Sequence, residues 1–567
     1  MEEKSLQQAK SWLSEVYDLD TRNKVQALIN ENGEELIESF YKDLDFGTGG
    51  MRGIMGVGTN RINKYSIGKA TQGLANTLLE MYPNEDISVA IAFDCRNNSD
   101  DIARSSAEVL SANGIKVYLF DSLRPTPELS FAVRELGCKS GIVITASHNP
   151  KEYNGYKVYG EDGCQIVSPF DVELISKVRS LTIDDVNFSA NENLIHSLGA
   201  EMDDAYTNRL KTICLSPEAI SAQKDLPVVF TGIHGTGAVM VPKALKAIGF
   251  TNVMTVPEQD LIDGNFPTVK SPNPEEPAAL AMAIELAKEK GAELVMGTDP
   301  DADRVGIAIP NKQGDFELLN GNQTGALLVN YLITRWKELG KVKGKEFIAK
   351  TVVTTGLMDV IATSNGVKVY NTLTGFKHIG ALIRSLEGEE KFIGGGEESY
   401  GYLAGDFVRD KDAVMSCVLI TEMVAWAKTQ NKDLFDLMQD MYLAHGFYLE
   451  DLISITKQGR SGLEEISNMM EGLRNTPPKS IVGEEVVEFI DYLESSKTGL
   501  PASNVLQFIT NKGTKVTARP SGTEPKIKFY FSVQEKLTQR EEFDEIKQKL
   551  TQKIANIQRE MNLITPK

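Results

Sequence analysis

The sequence predicts an α/β protein: three similar α/β domains with mixed or parallel sheets, then a smaller C-terminal α+β domain. Three observations predict it. Strand-like and helix-like segments alternate through most of the chain, as in parallel sheets joined by crossover helices. The order of elements recurs three times, and each time an unusual loop follows the third strand-like run. Near residue 450 the texture changes to polar helical stretches and β-like runs.

In the first region, apolar runs at 88–93, 116–120 and 141–146 bracket helical stretches near 102–110 and 127–136. The second region repeats this with runs at 228–231, 252–256 and 294–297, and a helix at 278–290 between the last two. The third gives 347–352, 367–371 and 391–394. Residues 454–503 read as partly a connecting region; runs at 505–509, 515–518 and 527–533 and a charged terminal helix complete the last domain. The expected domains are 1–204, 205–323, 324–450 and 451–567. Open α/β sheets bind ligands at the carboxyl ends of their strands, so three equivalent ends facing one cleft would gather the three loops.

At 567 residues the chain exceeds one hydrophobic core, and length alone indicates roughly three to five domains. A content of 41% hydrophobic and 25% charged residues is that of a soluble globular protein. No apolar stretch approaches the ~18 residues that span a bilayer. The start, Met1-Glu2-Glu3-Lys4-Ser5-Leu6, is unlike a secretory signal or transit peptide. Five scattered cysteines show no paired spacing, so a reducing cytoplasm is expected. A net charge of −19 argues against nucleic acid or an anionic membrane as partner. Any anion handled by this chain must meet Arg and Lys concentrated against that field.

The loop Gly297-Thr298-Asp299-Pro300-Asp301-Ala302-Asp303-Arg304 places three carboxylates at alternate positions. They repel one another unless something cationic sits among them, and oxygen ligands suit a hard divalent cation such as Mg²⁺. A helix-loop-helix calcium site is excluded, because it needs Gly at its sixth position and Glu at its twelfth, where this chain has Arg304 and Pro310. A solvated acidic turn is the alternative, although the strand-like runs 293–296 and 305–309 bring the acids to the edge of a buried sheet; three protein carboxylates leave coordination positions open, which points to chemistry.

Thr145-Ala146-Ser147-His148-Asn149-Pro150 can be no more than a helix cap, with Ser147 or Asn149 as N-cap and Pro150 at the first helical position, and that reading is compatible with function. A serine there meets backbone N–H groups that favour a phosphate. His148 either supports that phosphate or is an ordinary partly exposed histidine. No Gly-x-Ser-x-Gly elbow surrounds Ser147, which argues against an acyl-transferring hydrolase. Gly394-Gly395-Gly396-Glu397-Glu398-Ser399-Tyr400-Gly401 offers an acceptor and a hydroxyl suited to sugar hydroxyls, or else a tight glycine turn with solvated acids. Arg519-Pro520-Ser521-Gly522-Thr523-Glu524-Pro525-Lys526 can wrap a phosphate, although it lacks nucleotide P-loop spacing; a plain surface turn is the alternative. Arg52 lies in the glycine-dense Phe46–Gly53 stretch, Lys157 follows Asn154-Gly155, and Lys377 and His378 follow Thr374-Gly375-Phe376. His234, in a glycine-flanked loop, reads equally as a satisfied loop histidine.

Taken in order, these four loops resemble the motifs of the α-D-phosphohexomutase superfamily, and they span nearly the whole chain. Length and the Phe46–Gly53 segment look most like its phosphoglucomutase and phosphopentomutase branch. The resemblance implies a four-domain, heart-shaped enzyme with a central cleft, acting on a small phosphosugar in the cytoplasm. It implies a phosphoryl group on Ser147, with Mg²⁺ held by Asp299, Asp301, Asp303 and a phosphate oxygen on Ser147. The expected reaction interconverts glucose 1-phosphate and glucose 6-phosphate through a sugar 1,6-bisphosphate, which also serves as activator. A distant phosphate grip would use Arg519, Ser521, Gly522, Thr523 and Lys528, while Glu397 and Ser399 hold sugar hydroxyls. Arg52, His148, Lys157, Arg304 and Lys377 would neutralise the transferring phosphate, with Lys157 moving the proton. Phosphopentomutase, phosphomannomutase and sugar-bisphosphate synthase use the same parts; a catalytically silent sugar-phosphate-binding protein is the reading from another class. The sequence carries no signal for an oligomeric state.

Overall fold

The computed structural model describes residues 2–47, 49–457, 459–521 and 525–564. The chain divides into two compact units: one runs to Leu319 and adds Phe376–Glu387 and Gly401–Thr429, the other takes Asn320–Gly375, Gly388–Tyr400 and Gln430 onward.

The first unit holds two sheets. Strands β1 (Gly50–Ile54), β2 (Ser88–Phe93), β3 (Lys116–Phe120), β4 (Ser140–Ile144), β5 (Tyr153–Gly160) and β6 (Ile195–Leu198) lie in the order β1-β5-β4-β2-β3-β6. The run β4-β2-β3-β6 is parallel, while β5 and β1 are antiparallel additions. Strands β7 (Val228–Thr231), β8 (Val253–Thr255), β9 (Leu294–Thr298), β10 (Val305–Pro310) and β11 (Phe316–Leu319) follow as β11-β10-β9-β7-β8. Here β8, β7 and β9 are parallel, and β10 and β11 antiparallel. The parallel centre is covered on both faces, so its strands are continuously apolar: every residue of β4, β7 and β9 is buried. Crossover helices Ser99–Ala112, Thr126–Glu135 and Pro277–Lys290 lie where the periodicity places them.

Three N-terminal helices, Glu2–Ser11, Leu19–Glu31 and Glu34–Phe40, close on Tyr65. Trp12 stacks on Tyr17 with centroids 4.5 Å apart, and Tyr17 meets Tyr65 edge-on at 4.7 Å. The unit also takes in β15 (Gly401–Ala404) and the buried helix Ala413–Thr429.

In the second unit, β12 (Glu346–Thr351) pairs in parallel with both β13 (Lys368–Thr372) and β14 (Lys391–Glu397). The first strand of the trio therefore sits between the second and third, as β2 sits between β3 and β4, and β7 between β8 and β9. The recurrence in the sequence is a recurrence of topology, and in each trio the third strand feeds the unusual loop.

A six-stranded antiparallel sheet follows: β16 (Phe447–Thr456), β17 (Ser480–Ile481), β18 (Glu484–Asp491), β19 (Leu506–Thr510), β20 (Lys515–Pro520) and β21 (Lys526–Glu535). Their order is β16-β21-β20-β19-β18-β17, and the helix Phe543–Glu560 packs on it. The stretch 454–503, expected to be partly connecting, supplies the end of β16, the helix Gly459–Asn475, β17 and β18. Acids such as Glu450, Asp451, Glu485 and Glu488 interrupt the apolar alternation there, because these strands are half exposed. Among the described residues, no helix is long and apolar enough to cross a membrane.

Candidate active site

At the end of β4, Thr145 Oγ1 donates to Asp94 Oδ2 at 2.7 Å and accepts the Ser147 N–H at 2.8 Å. The expected helix after Ser147 is absent: the segment turns straight into the antiparallel β5. The cause is Arg96, just past the end of β2. Its guanidinium donates to the carbonyls of Ser147 (2.6 Å), Asn149 (2.5 Å), Pro150 (2.8 Å) and Tyr153 (3.0 Å), groups that a helix would have needed for its own ladder. A wholly buried ion pair with Asp94 at 3.3 Å holds the guanidinium in place. Ser147 itself is in the left-handed region at φ +52°, a strained conformation that surrounding contacts must fix. Gly155 lets β1, β5 and this loop converge, since a Cβ there would lie 2.5 Å from the Thr145 oxygen and 2.7 Å from that of Met51.

Ser147 is 3% exposed, and its Oγ donates to Asp299 Oδ2 at 2.7 Å and lies 3.2 Å from His148 Nδ1. The second and third acids share this spot. The β9–β10 turn buries Asp299, Asp301 and Asp303 almost completely, with Ala302 at φ +50° between the last two. Asp299 Oδ1 accepts the N–H groups of Asp303 and Arg304, closing the turn on itself. From the helix Thr126–Glu135, Thr126 grips Asp301 by its N–H to the carbonyl and its hydroxyl to Oδ2, both at 2.9 Å. The loop of His234 backs the turn: Thr236 donates twice to the Pro300 carbonyl, and a Cβ on Gly235 would meet Pro300 Cα at 2.4 Å. His234 is buried, bonded to the Leu261 carbonyl and Thr268 Oγ1, the satisfied loop histidine that was one of its two readings.

Cations answer these acids. Because β5 runs antiparallel to β4, Lys157 lies opposite Val143 and reaches Asp301 Oδ2 (2.8 Å) and Asp303 Oδ2 (3.3 Å). Lys411 approaches Asp303 Oδ2 from another side at 3.1 Å, and Arg304 pairs with Glu275 at 2.9 Å. Burial alone would raise the Asp303 carboxyl, but Lys411, Lys157 and Arg304 hold it well below the usual range. Asp299, lacking a lysine, is pushed up by burial and then by Asp301 and Asp303. Burial would lower the Lys157 pKa, yet the two aspartates raise it, so it is an ammonium. Burial, then Arg304 and Arg52, hold His148 neutral.

The donor set fits a hard divalent cation. One ligand atom from each of Asp299, Asp301 and Asp303 lies within 4.8 Å of the others. Among the described residues, the buried Oδ1 atoms of Asp301 and Asp303 have no hydrogen-bond partner. Arg52, exposed on β1, donates to Asn149 Oδ1 at 3.0 Å and so stands beside the serine loop. Lys377 and His378 open the helix Phe376–Ser385 in this same unit; Lys411 Nζ lies 5.7 Å over the Phe376 ring.

Glu397, Ser399, Arg519, Ser521 and Lys528 belong to the second unit. Glu397 closes β14 and accepts the Gly375 N–H at 2.8 Å; Glu398 accepts from Thr351 and Thr354, both at 3.2 Å. Ser399 is half-buried. Arg519 and Lys528 lie directly opposite on β20 and β21, and the Ser521 N–H closes the hairpin on the Lys526 carbonyl. Like charges directly opposite destabilise a sheet unless an anion answers them. Tyr530, on the same face, joins the two loops: burial and then Glu398 push its phenol up, while Arg519 hydrogen-bonds it and Glu397 stands near. Gly522 and Thr523 lie outside the described residues.

Residues 43–183, 204–314 and 320–444 match the alpha/beta/alpha domains I, II and III of phosphoglucomutase/phosphomannomutase. The chain belongs to the phosphoglucomutase/phosphomannomutase family. Its antiparallel sheet lies beyond the third matched domain, so the protein is three α/β domains and a further C-terminal sheet domain. Similar relatives include the phosphoglucomutase of Staphylococcus haemolyticus (strain JCSC1435), 38% identical over 511 residues, covering 88% of this chain and 91% of that one. Another, from Staphylococcus epidermidis (strain RP62A), is 38% identical over 548 residues, 93% and 96% of the two chains. The open form of parafusin, an exocytosis-sensitive phosphoprotein and phosphoglucomutase from Paramecium, shares the fold at TM-score 0.67 and 17% identity, over 88% of this chain and 92% of its own.

Arg96, Thr126, Lys411 and Tyr530 were not anticipated. Two had a signal. Arg96 follows a strand end in Asp94-Cys95-Arg96, and Arg409-Asp410-Lys411-Asp412 is a charged run before the apolar helix Ala413–Thr429. Thr126 and Tyr530 had none, being ordinary residues of a helix start and a strand.

Proposed function

We propose that the protein is a mutase that interconverts glucose 1-phosphate and glucose 6-phosphate through a phosphoserine at Ser147 and a glucose 1,6-bisphosphate intermediate. The observation that carries this reading is the Ser147 Oγ seated on Asp299, one of three buried acids, with Lys157, Lys411 and Arg304 around them. Phosphoryl transfer depends on positioning and charge neutralisation, and these are the parts gathered here.

Asp299, Asp301 and Asp303, with a phosphate oxygen on Ser147, would hold Mg²⁺. Bound there, it supplies Lewis-acid neutralisation of the transferring group. Phospho-Ser147 donates to the sugar 6-hydroxyl: the bond from phosphorus to Oγ breaks as the one to the sugar oxygen forms. Lys157, an ammonium, delivers a proton to the departing Ser147 oxygen and recovers one from the attacking hydroxyl as that oxygen bonds to phosphorus. Arg52, His148, Arg304 and Lys377 steady the transferring phosphate. After the bisphosphate turns round, its other phosphate returns to Ser147. Arg519, Ser521, Gly522, Thr523 and Lys528 grip the distal phosphate, and Glu397 and Ser399 bind hydroxyls common to both orientations. A sugar 1,6-bisphosphate then acts as activator by charging Ser147, and the working compartment is the cytoplasm.

The test is kcat/KM for the 1-phosphates of glucose, mannose, ribose and deoxyribose with catalytic glucose 1,6-bisphosphate. Glucose 1-phosphate should rank first. A pentose 1-phosphate ranking first would replace this reading by a phosphopentomutase; no turnover with any would leave a binding protein.

A further inference from the structure

Lys515, on β20, lines a cavity of about 790 Å³ in the second unit together with Lys350, Val352, Asp359, Tyr370 and Gln507. Its amine donates to two carbonyls, those of Thr354 at 3.1 Å and Val352 at 3.4 Å, rather than to a carboxylate. The ammonium of Lys350 stands beside it, itself held by Asp359 at 2.9 Å. The charged groups that act most strongly on Lys515 are Lys350 from β12, Asp359 from the helix Leu357–Ser364, Glu450 from β16, and Glu398 after β14, while Glu488, Asp491, Glu494 and Lys497 line the same cavity. Burial, then Lys350, push the amine down to about 8 against the partial opposition of the three acids. Burial raises the Glu450 carboxyl in turn. A desolvated lysine beside a second cation is one of the known arrangements for an amine nucleophile.

We infer that Lys515 is a nucleophilic amine and a site of acylation, taking the acyl group of a small activated donor, an acyl phosphate, through this cavity. The amine lone pair attacks the acyl carbon and a C–N bond forms. The C–O bond to phosphate breaks, phosphate leaves with that electron pair beside Lys350, and the nitrogen gives up one proton to the departing phosphate. The resulting amide has a single N–H and keeps at most one of the two carbonyl bonds. The Thr354 hydroxyl also donates to Glu398, next to Glu397 and Ser399, so acylation loosens the support of that loop.

Competitive labelling of the full-length protein with trace acetic anhydride tests this, reading acetyl incorporation at every lysine by peptide mass spectrometry from pH 6.5 to 10. The expected result is a Lys515 midpoint near pH 8 and, at pH 7.5, labelling roughly ten-fold faster than exposed lysines such as Lys24. Labelling no faster than Lys24, or a midpoint above about 10, overturns it. Acetyl phosphate should then acetylate Lys515 before any exposed lysine; the reverse order removes the acyl-phosphate assignment. Lys515→Gln should raise the sugar-phosphate KM several-fold with Ser147 phosphorylation retained, and Lys515→Arg should not. The KM arm rests on the proposed mutase activity and the labelling arm does not, so the two failures are distinguishable.

Discussion

Around Ser147 three carboxylates are buried together and answered by lysines from two other segments of the chain. Around Glu397 and Arg519 the acids are met by a backbone N–H and threonine hydroxyls, and two cations face each other across a half-buried hairpin. The first region gathers buried charge of both signs. The second is made of single polar contacts and a like-charge pair across a hairpin. On the proposed reading, the difference is that the first stabilises charge as it moves and the second holds the ligand meanwhile. Under the proposed function, damage to the first should lower kcat, and damage to the second should raise KM.

The largest effect is expected from the acids. Asp301→Ala should lower kcat by about three orders of magnitude, because it removes charge compensation at the transfer step. Its urea midpoint should move little, since Lys157 keeps Asp303. Thorough chelation should mimic the loss and Mg²⁺ should restore it; full activity after chelation would break the comparison. Next comes Arg519→Gln, expected to raise KM for the sugar phosphate about ten-fold, the cost of about one charge-assisted contact, with kcat much less affected. A fall in kcat at unchanged KM would place Arg519 with the first region instead.

The smallest effect is on stability. Asp412, which caps the helix Ala413–Thr429 and accepts the Tyr206 hydroxyl at 2.7 Å, is pushed up to about 7 by burial, with hydrogen bonds opposing. Its folded pKa exceeds its unfolded one, so its contribution is whole below the ordinary carboxyl pKa and is lost as pH rises towards 7. Relative to Asp412→Asn, the natural protein should therefore lose on the order of 1–3 kcal/mol between about pH 4 and 7, read from urea midpoints. Parallel profiles for the two proteins would refute this.

The three trios and their loops were legible because each loop is a short, local run of unusual residues after an apolar strand. Ser147 and the three aspartates could be picked out for that reason. The antiparallel strand β5, the half-exposed β16 and β18, and the N-terminal helices were less so, since their patterns are mixed. The Ser147 helix expectation failed because Arg96, about fifty residues earlier, takes the carbonyls. The grip of Thr126 on Asp301 spans 175 residues, and no local spacing encodes it.

The central claim is that Ser147 carries the phosphoryl group. Intact-mass spectrometry of the protein charged with glucose 1,6-bisphosphate, followed by peptide mapping, tests it most directly. The account predicts one adduct of about 80 Da on Ser147, discharged by excess sugar monophosphate and absent, with activity, from Ser147→Ala. A Ser147→Ala protein that still interconverts the sugar phosphates, or a phosphoryl group mapped to any other residue of the active protein, would contradict it.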